Sequence, residues 1–193
     1  MFTKAAFIKS LILEAKIIKH LVTQIPQGQL DWRATPPQRS TLELLRYLSY
    51  SLFASAEYAV IQVWDRWEGH AAGAKDLPPA GFAKAMDKQI KALTALLADH
   101  DDAALQRTMT KHWTGTPITL GEGLMEMVLK PAVAYRMQLF LQAKASGAAQ
   151  LSTSDCWQGK PMKVKKVKPA KAAKKTAKKS VKKTAKKAKK GAV

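Results

Sequence analysis

The 34 positions from Lys160 to Val193 hold sixteen lysines and no acidic residue, and they limit how far a folded domain can extend in this chain. The segment also has no aromatic residue and no Leu or Ile. It cannot bury enough apolar surface to offset the entropy of ordering it, so disorder in solution is the expectation. The chain therefore divides into a domain over 1–159 and a Lys/Ala-rich tail over 160–193. Of the formal charge of +19, only +3 belongs to residues 1–159, which carry 17 basic and 14 acidic side chains. A like-charge block this dense implies a polyanionic partner.

The remaining ~160 residues suit one domain with a substantial core. They contain all five Trp, all five Phe and six of the seven Met. No run approaches the ~20 uninterrupted apolar residues that a membrane span requires. The N-terminal stretch is apolar but broken by Lys4, Lys9, Glu14, Lys16 and Lys19, which argues against a secretory signal. Cys156 is the only cysteine, so no intramolecular disulfide is possible and a reducing compartment is expected. These features suggest a cytoplasmic protein of bacterial type, associated with the nucleoid through its tail.

Helical periodicity dominates the domain. A first helix is predicted from about Thr3 to Thr23, where Phe7, Leu11, Ala15, Ile18, Val22 and Ile25 recur every three or four positions. A second is predicted from Thr41 to about Trp67, opened by the capping box Ser40-x-x-Glu43. Residues 68–81 are predicted to be a long crossover loop, from their Gly and Pro content. A third helix is predicted over about Phe82 to Ala98 and a short one around Ala103–Met109. A fourth is opened by Thr119-x-x-Glu122 and stopped near Ser146 by Gly147. No segment alternates as a strand does, so the expected class is all-α, a four-helix bundle followed by the disordered basic tail.

Two stretches carry a family resemblance. Asp31-Trp-Arg33-Ala-Thr35-Pro-Pro-Gln-Arg39-Ser-Thr41-Leu-Glu-Leu-Leu-Arg-Tyr47-Leu is similar to the segment entering helix two of the DinB/YfiT superfamily of four-helix bundles. Leu129-Lys-Pro-Ala-Val-Ala-Tyr135-Arg-Met-Gln138-Leu, followed by Ala145-Ser-Gly147, resembles that family's fourth helix. The resemblance implies a site where metal-binding members place one His in helix two and two more, four apart, in helix four. Two imidazoles at that spacing share one helix face and leave room for water or substrate on the metal. Here the three positions are occupied by Tyr47, Pro131 and Tyr135, none of which is an imidazole. Arg136 and Gln138 match the retained part of the motif. Neither a metal nor another cofactor is therefore expected, and Tyr135 and Arg136 are expected to be partly buried and structural, with a residual small-ligand pocket as the alternative. Homodimerisation is implied only because DinB-like bundles often dimerise.

Other candidate chemistry is weaker. His20, His70, His100 and His112 never stand three or four apart, so no two share a helix face. Glu122 and Glu126 are explained as capping-box and i,i+4 support, the latter to Lys130. Asp99, Asp101 and Asp102 read as a solvated turn, and Trp64 and Trp67 as packing. There is no Gly-rich phosphate loop, nucleophile elbow or zinc spacing, so no catalytic residue is assigned.

The tail carries the functional expectation. Lys-Lys pairs recur at Lys174-Lys175, Lys178-Lys179, Lys182-Lys183 and Lys186-Lys187, and Lys163, Lys165, Lys166, Lys168, Lys171, Lys189 and Lys190 complete the set expected to contact DNA. In composition this resembles the arms of linker histones and bacterial histone-like proteins. Lysine meets phosphate as a point charge, and the tail has no Arg, Asn or Gln to read base edges, so non-specific binding to DNA or another polyanion is expected. The alternative is a DinB-like transferase or hydrolase, metal-dependent or not, that the tail merely places on the nucleoid.

Overall fold

The computed structural model describes residues 3–161, so the expected disorder of the tail and the phosphate contacts of Lys163 to Lys190 lie outside the described residues. Helix α1 runs Lys4–Val22, with Thr3 as its N-cap and Thr23 as its C-cap. Phe7, Leu11, Ala15 and Ile18, the stripe expected from the periodicity, are buried. Helix α5, Phe82–Leu96, buries Phe82, Met86 and Leu93 in the same way. Both predicted capping boxes are present. Ser40 and Glu43 open α2 (Thr41–Leu48), and Thr119 and Glu122 open α7 (Leu120–Leu124). The last long helix, α8, spans Lys130–Ala145. α1 packs against α5 and α8, and the apolar side chains of these helices, of α2 and of the helix that follows it form one core. Among the described residues no helix is long and apolar enough to cross a membrane.

The predicted second helix is not continuous. It breaks at Ser49 and Tyr50 and resumes as α3, Ser51–Ile61. The Ser49 hydroxyl donates to the Arg46 carbonyl at 2.7 Å, a back-bond that competes with the helical ladder. The groups exposed by the break are satisfied from another helix. Gln89 of α5, 5% exposed, donates to the Leu48 carbonyl at 2.6 Å and accepts from the Phe53 amide at 3.2 Å. α3 then ends at Gln62, whose φ of 61° lies in the left-handed region.

Residues 68–81, expected as a loop, instead contain most of a short helix, α4, Arg66–Ala74, so His70 is helical. Its Gly69 and Gly73 weaken intrinsic helix propensity, but side-chain contacts hold it against α3. The short helix predicted near residue 103 is α6, Asp102–Arg107, capped by the Asp101 carboxylate.

Strand was not expected, yet β1 (Met109–Lys111) and β2 (Pro117–Thr119) form an antiparallel hairpin. Gly115, with φ of 88°, makes its turn. The hairpin is docked on the end of α3 by two side chains. The Thr110 hydroxyl donates to the Ala59 carbonyl at 2.6 Å, and the Gln62 amide brackets Lys111 by accepting from its N–H at 3.1 Å and donating to its carbonyl at 3.3 Å.

The predicted fourth helix likewise passes through a wider π-turn, Met125–Leu129, between α7 and α8. A final helix that the periodicity did not reveal, α9 (Thr153–Gln158), returns to pack on α1 and ends at Gly159. A Cβ at Gly159 would stand 3.1 Å from the Ile17 Cα, and its φ is 61°, so glycine is needed there for both space and conformation.

Candidate functional site: an aromatic cavity between α2, α3 and α8

The three positions marked by the resemblance converge. Tyr47 from α2, Pro131 and Tyr135 from α8 all line one cavity of about 260 Å³, together with Ser51, Ser55 and Tyr58 of α3. Trp64 in the α3–α4 connection, Trp67 at the start of α4, and Trp113 in the hairpin turn complete its wall. Trp64 and Trp113 are about half exposed, 47% and 50%.

The rings are packed on one another rather than spread apart. Tyr47 and Tyr135 meet edge to face at 5.0 Å between centroids, with an interplanar angle of 62°. Trp64 and Trp67 are parallel within 1° at 5.3 Å, and Tyr58 stands against Trp64 at 86°. Such edge-to-face and offset arrangements align ring edges with π faces and add to the area they bury. The Arg39 guanidinium lies 4.1 Å over the Tyr47 ring. Burial, then the neighbouring Tyr135 and a hydrogen bond shared with it, push the Tyr47 phenol above its ordinary range.

This lining does not suit a divalent metal. A phenol whose ionisation is suppressed is a poor ligand, proline offers no side-chain donor, and the walls are mainly aromatic. Among the described residues no three His, Cys, Asp or Glu side chains are grouped to hold a metal. Three of the four histidines serve elsewhere. His20 Nε2 lies 2.8 Å from Asp155, His70 Nε2 lies 2.8 Å from Glu57, and His112 Nδ1 contacts the Thr114 hydroxyl at 2.9 Å. Glu126 pairs with Lys130 as the i,i+4 spacing implied.

Arg136, one of the two retained motif residues, is turned away from ligand chemistry. At 2% exposure its Nε is 3.0 Å from Glu14 of α1, and its Nη1 donates to the Cys156 carbonyl of α9 at 2.8 Å. The Arg136–Glu14 pair is an ion pair without hydrogen-bond alignment, since neither atom satisfies the other's directional requirement. Burial pushes the Glu14 carboxyl up, and the Arg136 charge counters it only in part. Cys156 is buried and its thiol is pushed up by burial, which makes it a weak nucleophile.

The sequence missed one further polar group. Glu57 of α3, buried, accepts from Arg66 and contacts His70, both at 2.8 Å. Burial alone would raise its carboxyl, but hydrogen bonds from His70 and Arg66 and their charges outweigh it, and its pKa lies below 4.5. These contacts hold α4, and with it Trp67, beside the cavity. The only local signal was Glu57 placed nine and thirteen residues before two basic groups, which no helix spacing connects.

The fold and sequence both have counterparts. The DinB superfamily matches residues 13–128, a range that includes Tyr47 and stops before Pro131 and Tyr135. A crystal structure of a DinB-like protein from Bacillus subtilis superposes with a TM-score of 0.54 at 15% identity, covering 74% of this chain and 92% of that one. No curated protein matches the sequence significantly. The family match spans more than half of the chain and the helical architecture agrees with it: the protein belongs to the DinB superfamily.

Proposed function

We propose that this DinB-superfamily bundle serves as a folded body for a polycationic arm that binds DNA, or another polyanion, without sequence preference, and that it is not an enzyme. One observation carries the reading: sixteen lysines and no acidic residue after Gly159, in a chain whose preceding residues are nearly charge-balanced. Dense backbone phosphates recruit such an arm by counterion release, which supplies affinity without base recognition. The mismatch between the cavity lining and the family's metal supports the non-enzymatic half, because no group positioned there can activate water or a thiol through a metal. The last described helix, α9, is capped by Gly159, and Lys160 after it is exposed.

The test compares the full chain with a chain ending at Gly159 by fluorescence anisotropy on labelled duplexes of unrelated sequence. The full chain is expected to bind all duplexes with similar affinity and the shortened chain to bind none. Equal binding by the two chains would assign DNA contact to the bundle and overturn the reading.

A further inference from the structure

Six aromatic rings, Tyr47, Tyr58, Trp64, Trp67, Trp113 and Tyr135, wall the cavity from α2, α3, α4, the hairpin and α8. We propose that this cavity binds a small quaternary ammonium group, held by cation–π attraction where related bundles place a metal.

The argument begins with what the lining lacks. None of its residues is Asp, Glu, Lys, Arg or His, and its polar groups are the phenols, the indole N–H groups and the hydroxyls of Ser51 and Ser55. An anion entering the cavity meets negative π faces and no charged lining residue, the Arg39 guanidinium lying over the Tyr47 ring. A metal ion, an ammonium or a guanidinium must exchange its hydration for acceptors that the wall supplies only sparsely. A quaternary ammonium has no N–H to leave unsatisfied, and aromatic faces are the surfaces that recognise it.

Ring placement favours the same ligand. Trp67 is parallel to Trp64, Tyr58 is nearly perpendicular to Trp64, and Tyr47 is tilted by 51° to Trp67 and by 62° to Tyr135, so the six lining rings form one mutually packed aromatic wall in several orientations. The Arg39 guanidinium already covers a face of Tyr47, so the attraction falls to the other rings of the set. The volume of about 260 Å³ lies below the ~300–1,000 Å³ of pockets for drug-sized ligands, which restricts the occupant to a choline-sized group. Half-exposed Trp64 and Trp113 form the mouth through which it enters.

Calorimetry and tryptophan fluorescence of the full-length protein test this, using choline, tetramethylammonium and dimethylbutanol, the uncharged carbon isostere of choline. Both cations are expected to bind, with the isostere at least about ten-fold weaker, because charge and not shape supplies the attraction. Trp67→Ala should abolish binding. Trp113→Ala, which removes a half-exposed ring from the mouth and leaves the core intact, should weaken choline by several-fold without moving the melting temperature. Binding of the isostere as tight as that of choline would show an apolar cavity indifferent to charge and overturn the proposal. So would the absence of cation binding at millimolar concentration, or choline binding unaffected by Trp113→Ala and by Trp67→Ala in folded protein.

Discussion

Arg136 brings three helices together through one guanidinium: its own α8, α1 through Glu14, and α9 through the Cys156 carbonyl. A charge at 2% exposure is costly to strand, so removing either partner leaves the other buried and uncompensated. Arg136→Ala is expected to lower unfolding free energy by roughly 3 kcal/mol in urea denaturation, the scale of a broken buried ion pair. A change within about 0.5 kcal/mol, the range of surface substitutions, would show that the pair contributes little. The titratable groups give an independent prediction. Glu57 and Asp155 have pKa values below their ordinary 4.5 and 3.8, so their stabilisation is complete above those values and is lost as pH falls through the folded ones. Glu14 has the opposite sign: its raised pKa favours the folded state below 4.5 and loses that advantage as pH rises. The urea midpoint should therefore fall on acidification below about pH 4.5. Glu57→Gln should flatten that fall and Glu14→Gln should steepen it.

At the scale of elements, the long amphipathic helices were legible because burial repeats every three or four residues along each. The same local rule hid the interruption at Ser49 and Tyr50, whose apolar period runs on through the break. The break is supported from α5, by an amide that no spacing within residues 41–61 reports. Gln89→Leu should accordingly cost about 2 kcal/mol, because it leaves the Leu48 carbonyl and Phe53 amide unsatisfied in a buried setting. Gln89→Glu should not restore stability, since a carboxylate cannot donate to the Leu48 carbonyl. The hairpin was missed for a similar reason: its strands have three residues each, too few to alternate visibly, and they are held by Thr110 reaching across to α3 and by Gln62 reaching back from the end of α3. The cavity was half legible. Tyr47, Pro131 and Tyr135 stood out by motif, whereas Trp64 and Trp67 read only as packing and Trp113 carried no signal until α4 and the hairpin were folded over the same opening.

For the whole molecule, the bundle and its arm follow different physics, and each can be tested without the other. Purified protein is expected to carry no stoichiometric zinc, nickel or manganese by elemental analysis. One tightly held metal per chain, lost on replacing His100 or His112, would restore the enzyme alternative. The arm answers to salt. If about half of its sixteen lysines neutralise phosphates, the logarithm of the DNA association constant should fall against the logarithm of salt concentration with a slope of roughly −7, at ~0.9 per phosphate. The most direct measurement is that slope for the full-length protein on duplexes of unrelated sequence, between about 50 and 200 mM salt. A steep slope, common to all duplexes, is the predicted result. Affinity that is flat with salt, or that differs widely between sequences, would contradict a lysine arm reading phosphate charge alone.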